Sequence, residues 1–184
     1  MRRPPAWYVV LLALVGFERG REIAISQTHE QARGGTRAAR RTYPLMVAAH
    51  VGLFTLPLLE VSVRPHRGPR WGWAIVLGAA TALRVWSIRS LGSSWNVRAA
   101  VPEDLVPVQS GPYRYVRHPN YVAVVLEFMA LPLIAGAWRS TLLLSSLNAF
   151  VLFDRIREEE RLLERSDDYR QAFAGRARFV PGVF

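Results

Sequence analysis

Long apolar runs alternate with arginine-rich stretches along the chain. The two strongest runs cover 43–63 and 71–89, and weaker ones cover 121–137 and 139–154. A membrane-spanning helix needs about 20 mostly apolar residues. Together with the N-terminal run, these segments predict an all-α polytopic membrane protein with about five transmembrane helices.

The N-terminal run is the shortest of the predicted spans. Its apolar part, 7–17, is short for a transmembrane helix and could be the core of a signal peptide. No small-residue cleavage site follows it, since the next residues are charged. We therefore predict a first span over 4–18 that continues as an amphipathic helix.

Arginine distribution predicts the orientation in the membrane. With five spans, the stretches 18–42 and 89–120 and the tail after 153 lie on one side and carry 17 Arg, against six on the other side. Basic residues favour the cytoplasmic side. The pattern predicts a multi-pass protein, of a bacterial cell membrane, whose long 89–120 loop and C-terminus are cytoplasmic.

Composition removes several kinds of chemistry. The 184 residues form one predicted domain, 1–184, with a net charge of +10, no Cys, and 24 basic residues that are all Arg. Thiol nucleophiles, Cys-ligated metals and lysine Schiff bases are thereby excluded. A charge of this size would suggest nucleic acid in a soluble protein, but the apolar runs favour a membrane surface. We expect no metal and no nucleic-acid partner.

The loop before the fourth predicted span is long, irregular and rich in tyrosine. It contains several Pro and Gly residues, so it cannot form one helix. Irregular segments of this length are usually functional. Amphipathic tyrosines suit a site that is wet at one end and apolar at the other.

A charged run, 154–161, continues the last apolar run directly. If the helix continues, Arg155 and Glu159 lie four residues apart on one face and project together at the mouth of the bundle. The alternative is a solvated helix with ordinary ion pairs such as Glu158 with Arg161.

Two motifs together resemble those of a known family. The segment GPYRYVRHPNY at 111–121, followed by Arg155 and the Glu158–Glu159 pair, is similar to the isoprenylcysteine carboxyl methyltransferase family. These are integral membrane enzymes that use S-adenosylmethionine. Residues 95–98 and the upstream half further resemble bacterial members associated with methylation of alkylresorcinols and alkylpyrones.

The resemblance implies roles for particular residues. It implies cofactor-binding segments at 95–121 and 154–181, and Arg155 and Glu159 as catalytic residues, with Glu159 receiving the cofactor's ammonium. The implied cofactor-binding residues are Arg98, Leu105, Val106, Val108, Gly111, Tyr113, Arg117, His118, Pro119, Asn120, Tyr121, Glu158 and Glu159. The implied substrate-binding residues are Arg155, Glu127, His50 and Glu60. For the last three, mutual pairing that fixes helix packing is an equal alternative.

These residue types suit the implied cofactor, S-adenosylmethionine. A carboxylate can bind its ammonium, cationic donors its carboxylate, and aromatic walls its adenine and sulfonium. The expected function is O-methylation of a carboxylate, phenol or enol on a lipophilic acceptor that arrives from the bilayer, with membrane lipid as a further partner. If the acceptor is a phenol, His118 or Glu127 could take its proton.

Two other functions remain open at this point. An NADPH-dependent membrane reductase of the sterol-reductase type shares a similar Arg-His-x-x-Tyr stretch, although Glu158 and Glu159 would repel a phosphate. A non-enzymatic basic membrane protein would need no Pro/Tyr-rich loop.

Overall fold

The computed structural model of the protein describes residues 3–33, 36–39, 41–63, 68–101 and 105–182. This part contains six α-helices. They are α1 (Ala6–Arg33), α2 (Tyr43–Ser62), α3 (Trp71–Leu91), α4 (Pro119–Ile134), α5 (Trp138–Leu163) and α6 (Asp167–Ala172). Part of the predicted cofactor segment, residues 102–104, lies outside the described residues. The same holds for four residues of the arginine count: Arg2, Arg40, Arg64 and Arg67.

The predicted all-α class is confirmed, while the predicted spans are only partly supported. Helices α2 and α3 are long and apolar enough to cross a membrane, and α4 is apolar but shorter, at 16 residues. The first helix continues beyond residue 18, as the predicted amphipathic extension requires, and α1 ends at Arg33. Helix α5 continues through the charged run to Leu163. The five-span topology stays a prediction.

The apolar core lies between α2, α4 and α5. Leu53, Phe128 and Leu144 are almost completely buried in it. Helices α2 and α5 run antiparallel. Thr42 Oγ1 donates to Asp154 Oδ2 at 2.7 Å near one end. Further along, a side chain added at Gly52 would place its Cβ 2.9 Å from Leu144 Cδ2. Glycine at this position therefore allows α5 to pack closely against α2.

A small two-stranded sheet, which an all-α prediction does not include, links the α1–α2 connection to the α3–α4 loop. Strand β1 (Thr36–Arg37) pairs antiparallel with β2 (Ala100–Val101). Beside it, the backbone N–H of Ala38 donates to the carbonyl of Ala99 at 3.2 Å. The α1–α2 connection is thereby fixed to the long loop between α3 and α4.

The GPYR segment, Gly111–Arg114, forms a short 3₁₀ turn against α3. Gly111 has a φ of +59°, and a Cβ there would collide with the side chain of Ser90. Only glycine combines this backbone conformation with so close an approach. The turn places the buried Tyr113 next to α3.

Candidate functional site

A cavity of about 420 Å³ is enclosed by residues from all six helices and from the loop before α4. This volume is within the roughly 300–1,000 Å³ typical of small-molecule sites. Most predicted cofactor residues line it: Arg98, Leu105, Val106, Val108, Tyr113, Arg117, His118, Asn120, Tyr121 and Glu159.

Three predicted cofactor residues do not line the cavity, and each has another contact. Gly111 packs against α3. Pro119 begins α4, where its fixed φ suits the first helical turn and its missing N–H costs nothing. Glu158 forms an exposed ion pair with Arg161 at 2.7 Å, as in the solvated-helix alternative. For these three residues the structure does not support a direct contact with a ligand in the cavity.

Glu159, Tyr121 and Arg155 form a hydrogen-bonded chain at the cavity wall. The hydroxyl of Tyr121 donates to Glu159 Oε2, and Arg155 Nε donates to that hydroxyl at 2.9 Å. Arg155 also donates to the carbonyl of Val97 and approaches Met46 Sδ at 3.1 Å. A carboxylate and a guanidinium are thus held four residues apart on one face of α5, with a phenol between them.

Aromatic side chains form one end of the cavity. Tyr113, Tyr169 and Phe173 pack as a cluster with Leu105 at its edge, and the rings of Tyr169 and Phe173 lie 4.7 Å apart. Burial raises the pKa of the Tyr113 and Tyr169 phenols well above its ordinary value. Both phenols are therefore neutral and give this end an apolar, π-rich wall with hydrogen-bonding edges.

Behind this wall, Glu160 binds His118 and Arg178. Its Oε1 lies 3.1 Å from His118 Nε2, and its Oε2 lies 2.8 Å from Arg178. Burial opposes ionisation of Glu160, but the hydrogen bond and charge of His118, together with Arg178, outweigh burial and hold the pKa of Glu160 below its ordinary value. The sequence reasoning missed Glu160. The available signal was its position directly after Glu159. Consecutive helical residues project in different directions, so Glu160 can reach partners that Glu159 cannot.

Main-chain hydrogen bonds join the segment after α6 to the residues before α4. The amides of Arg117 and His118 donate to the carbonyls of Ala177 and Arg178, each at 2.9 Å. Arg117 Nε also donates to the carbonyl of Arg176 at 2.8 Å. The 176–178 segment therefore fixes the position of His118.

Arg98 lines the cavity on the side of α1 and α2. Its guanidinium lies 3.7 Å from Glu30 of α1 and 5.3 Å from the ring centroid of Tyr43 of α2. Both contacts are with the wall of the cavity. Arg98 thus bridges α1 and α2 at the cavity edge and lies apart from the aromatic end.

The structure separates the predicted substrate-binding residues. Arg155 and His50 line the cavity. Glu127 is buried against Arg19 at 3.2 Å and is absent from the lining. The carboxylate of Glu60 accepts hydrogen bonds from the backbone and hydroxyl of Ser140, both at 2.8 Å, at the start of α5. Glu60 and Glu127 thus contact residues of other helices, whereas the alternative of mutual pairing would have joined them to each other or to His50.

Charged residues of α1 complete the cavity wall and were not singled out from the sequence. Arg84 of α3 donates to both oxygens of Glu22, with its closest contact at 2.7 Å, and Arg19 pairs with Glu22 and Glu127. Arg84 and Glu22 are both buried. Because the sequence analysis assigned this part of α1 to an amphipathic extension, the pairing with α3 was not foreseen.

Comparison with known proteins identifies the family. The model of the isoprenylcysteine carboxyl methyltransferase (ICMT) family matches residues 73–165, and the chain belongs to this family. The family is one of methyltransferases, and with the two apolar helices it defines the class as membrane methyltransferase.

Two bacterial relatives are similar over most of their length. "Uncharacterized protein YpbQ" of Bacillus subtilis is 31% identical over 160 residues, which are 84% of this chain and 95% of that protein. An "Uncharacterized protein" of Haemophilus influenzae is 27% identical over 145 residues, which are 75% of this chain and 84% of that protein. These relatives extend the similarity upstream of residue 73 but name no substrate.

Proposed function

We propose that this protein is an S-adenosylmethionine-dependent O-methyltransferase that acts on a lipophilic acceptor. The observation that carries the proposal is the chain of Glu159, Tyr121 and Arg155 within one cavity. A carboxylate on this chain suits an ammonium ion, and the guanidinium beside it suits an acidic oxygen. Both family motifs contribute residues to it.

The aromatic end fits the proposed cofactor. Tyr113, Tyr169 and Phe173 can pack against an adenine ring and a sulfonium, and Glu159 lies on the same cavity wall to accept from the ammonium. When bound, the cofactor supplies the activated methyl group. The protein's own contribution is then to align the acceptor oxygen and exclude water.

The acceptor's proposed route is an opening beside α1 and α2. Ile23, Val47 and Val51 line the cavity and are also partly exposed, at 49%, 43% and 57%. An opening lined by exposed apolar side chains suits a lipophilic molecule that arrives from a bilayer. Arg155 would bind its acidic oxygen, which can be a carboxylate, a phenolate or an enolate.

A multi-pass arrangement with a cytoplasmic C-terminus belongs to the same proposal. Large apolar side chains are exposed on α1 and α5 as well as on α2 and α3, among them Leu14, Ile75, Leu142 and Phe150. Such a surface is unfavourable in water and favourable in lipid. A reporter fused after residue 184 should give a cytoplasmic signal, and a signal from the opposite side would contradict this orientation.

The decisive experiment is calorimetric titration of the detergent-solubilised protein. S-adenosylmethionine and its demethylated product, S-adenosylhomocysteine, should both bind at one site per chain. NADPH serves as the control ligand and should not bind. Binding of NADPH without binding of S-adenosylmethionine would instead support the reductase alternative.

The acceptor itself can be found in lipid extracts. Mass spectrometry of cells with and without the gene should show one lipid species that shifts by the mass of one methylene. An unchanged lipid profile in cells that contain active protein would contradict a lipophilic acceptor.

A further inference from the structure

Asn148 is a polar side chain in the apolar middle of α5. It is only 3% exposed, and it lines the cavity. Within the part of the chain that the structure describes, its carboxamide has no hydrogen-bonding partner. Buried amides are almost always hydrogen-bonded in proteins. An amide that is buried, open to a cavity and without a protein partner points to a bound molecule that supplies the partner.

His50 of α2 lies at the same level of the bundle as Asn148 of α5, and both residues line the cavity. The two contacts between α2 and α5 described above bracket both residues, so His50 and Asn148 occupy the same part of the antiparallel helix pair. His50 Nδ1 lies 2.8 Å from the carbonyl of Met46. A carbonyl only accepts, so Nδ1 carries the hydrogen, and in the neutral ring Nε2 is an acceptor.

These two residues lie close to the proposed position of the reacting oxygen. Arg155 Nη1 reaches Met46 Sδ at 3.1 Å, and Met46 precedes His50 by four residues, one helical turn of about 5 Å. Four residues of α5 line the cavity: Asn148, Leu152, Arg155 and Glu159. His50 is therefore one turn from the α2 residue that Arg155 contacts, and Asn148 is about two turns from Arg155 along α5.

We propose that Asn148 and His50 form a second polar subsite, which binds a hydroxyl group of the acceptor other than the oxygen that is methylated. This inference rests on the proposed function. A hydroxyl can donate to His50 Nε2 and accept from the amide of Asn148. The acceptor is then a lipophilic molecule whose head carries a second oxygen besides the one that is methylated. An acceptor with a single acidic group and an otherwise apolar body leaves this subsite without a partner.

A matched pair of acceptors tests the subsite in the full-length protein. The probes are 5-pentadecylresorcinol, with two ring hydroxyls, and 3-pentadecylphenol, with one, titrated calorimetrically in detergent without cofactor. The hydrogen bonds of the second hydroxyl should make the wild type bind the diol about five- to tenfold more tightly. Asn148→Leu removes one of these hydrogen bonds and should lower this ratio by about twofold or more, while the affinity for the monophenol stays unchanged.

The control variant is Ser146→Leu, which introduces the same side chain at an exposed position of α5 and should keep the wild-type ratio. Asn148→Leu should also melt no lower than the wild type, because the native amide has no described protein partner to lose. If that variant does not fold, His50→Phe provides the second test, since its ring can keep the packing against Phe128. It removes the other hydrogen bond of the second hydroxyl and should also lower the preference.

Equal affinity of the wild type for the two probes, or an unchanged preference in Asn148→Leu, would overturn the inference. S-adenosylmethionine binding is measured on the same samples. The wild type and both leucine variants should retain it. A wild type that binds neither S-adenosylmethionine nor its product would overturn the proposed function instead, so the two failures are distinct.

Discussion

The two ends of the cavity use charged residues in different ways. At the aromatic end, Glu159 is hydrogen-bonded by the neutral Tyr121, and Arg155 is bonded by a phenol, a carbonyl and a thioether. At the α1 end, Glu22 is bound directly by Arg84 and Arg19. Charges held by neutral groups stay available to a ligand, whereas charges that neutralise each other hold helices together.

This comparison predicts that changes at the α1 end affect folding and changes at the aromatic end affect ligands. Breaking a buried ion pair from one side leaves a buried charge without compensation. Removing a group held by neutral hydrogen bonds leaves no such charge behind. The experiments below test this distinction.

The largest effect is expected from Arg84→Met. It removes the guanidinium that α3 supplies to the buried Glu22, which keeps its contact with Arg19. The free energy of unfolding should fall by about 3 kcal/mol. Thermal unfolding in detergent measures the loss. Arg89→Met, at an exposed position of the same helix, is the control and should change stability little. Equal stability of the two variants would contradict a structural role for the α1 charges.

Arg155→Ala should reduce turnover by about 100-fold or more, because an electrostatic contact with the developing reaction centre is lost. S-adenosylmethionine affinity should stay close to that of the wild type. Arg157→Ala, at an exposed position two residues away, should behave as the wild type. Loss of cofactor affinity in Arg155→Ala equal to the loss of turnover would mean that the proposed roles of the α5 residues are wrong.

Glu159→Gln should weaken S-adenosylmethionine binding about 10- to 100-fold, since a charge-assisted hydrogen bond to the ammonium becomes a neutral one. Its neighbour provides a close control. Glu158→Gln changes an exposed carboxylate that pairs with Arg161 and should leave the affinity unchanged. Calorimetric titration of both variants measures the difference, and similar losses in the two would contradict a specific role for Glu159.

The smallest effect is expected from Glu160→Gln, about 1–2 kcal/mol of stability at neutral pH. Because the folded-state pKa of Glu160 is lowered from its ordinary value of 4.5, its contribution is present above that pH and is lost as the pH falls through the folded-state pKa. The stability difference between wild type and variant should therefore shrink below about pH 4.5. A pH-independent difference would contradict the ionised pair with His118 and Arg178.

The helices were predictable because their apolar runs are long and are separated by arginine-rich stretches or by stretches that contain Pro and Gly. The same reasoning placed Arg155 and Glu159 on one face of a continuous helix, since a separation of four residues fixes that geometry. Sequence alone does not identify which of three adjacent glutamates faces inward, because they point in three directions; Glu158 is exposed beside Arg161, and its cofactor role stays a prediction. The contacts of Glu22 with Arg84 and of Glu60 with Ser140 could not be foreseen, because these partners are distant in sequence and meet only through tertiary packing.

The continuous course of α5 restricts how this sequence can change over evolutionary time. One helix carries the residues at 148, 152, 155 and 159 to the same cavity. A single inserted or deleted residue between them would turn everything beyond it by about 100° about the helix axis. Point substitutions on the outer face of α5 are then tolerable, but length changes within 148–159 are not. We expect insertions and deletions among relatives to fall in the connections between helices instead.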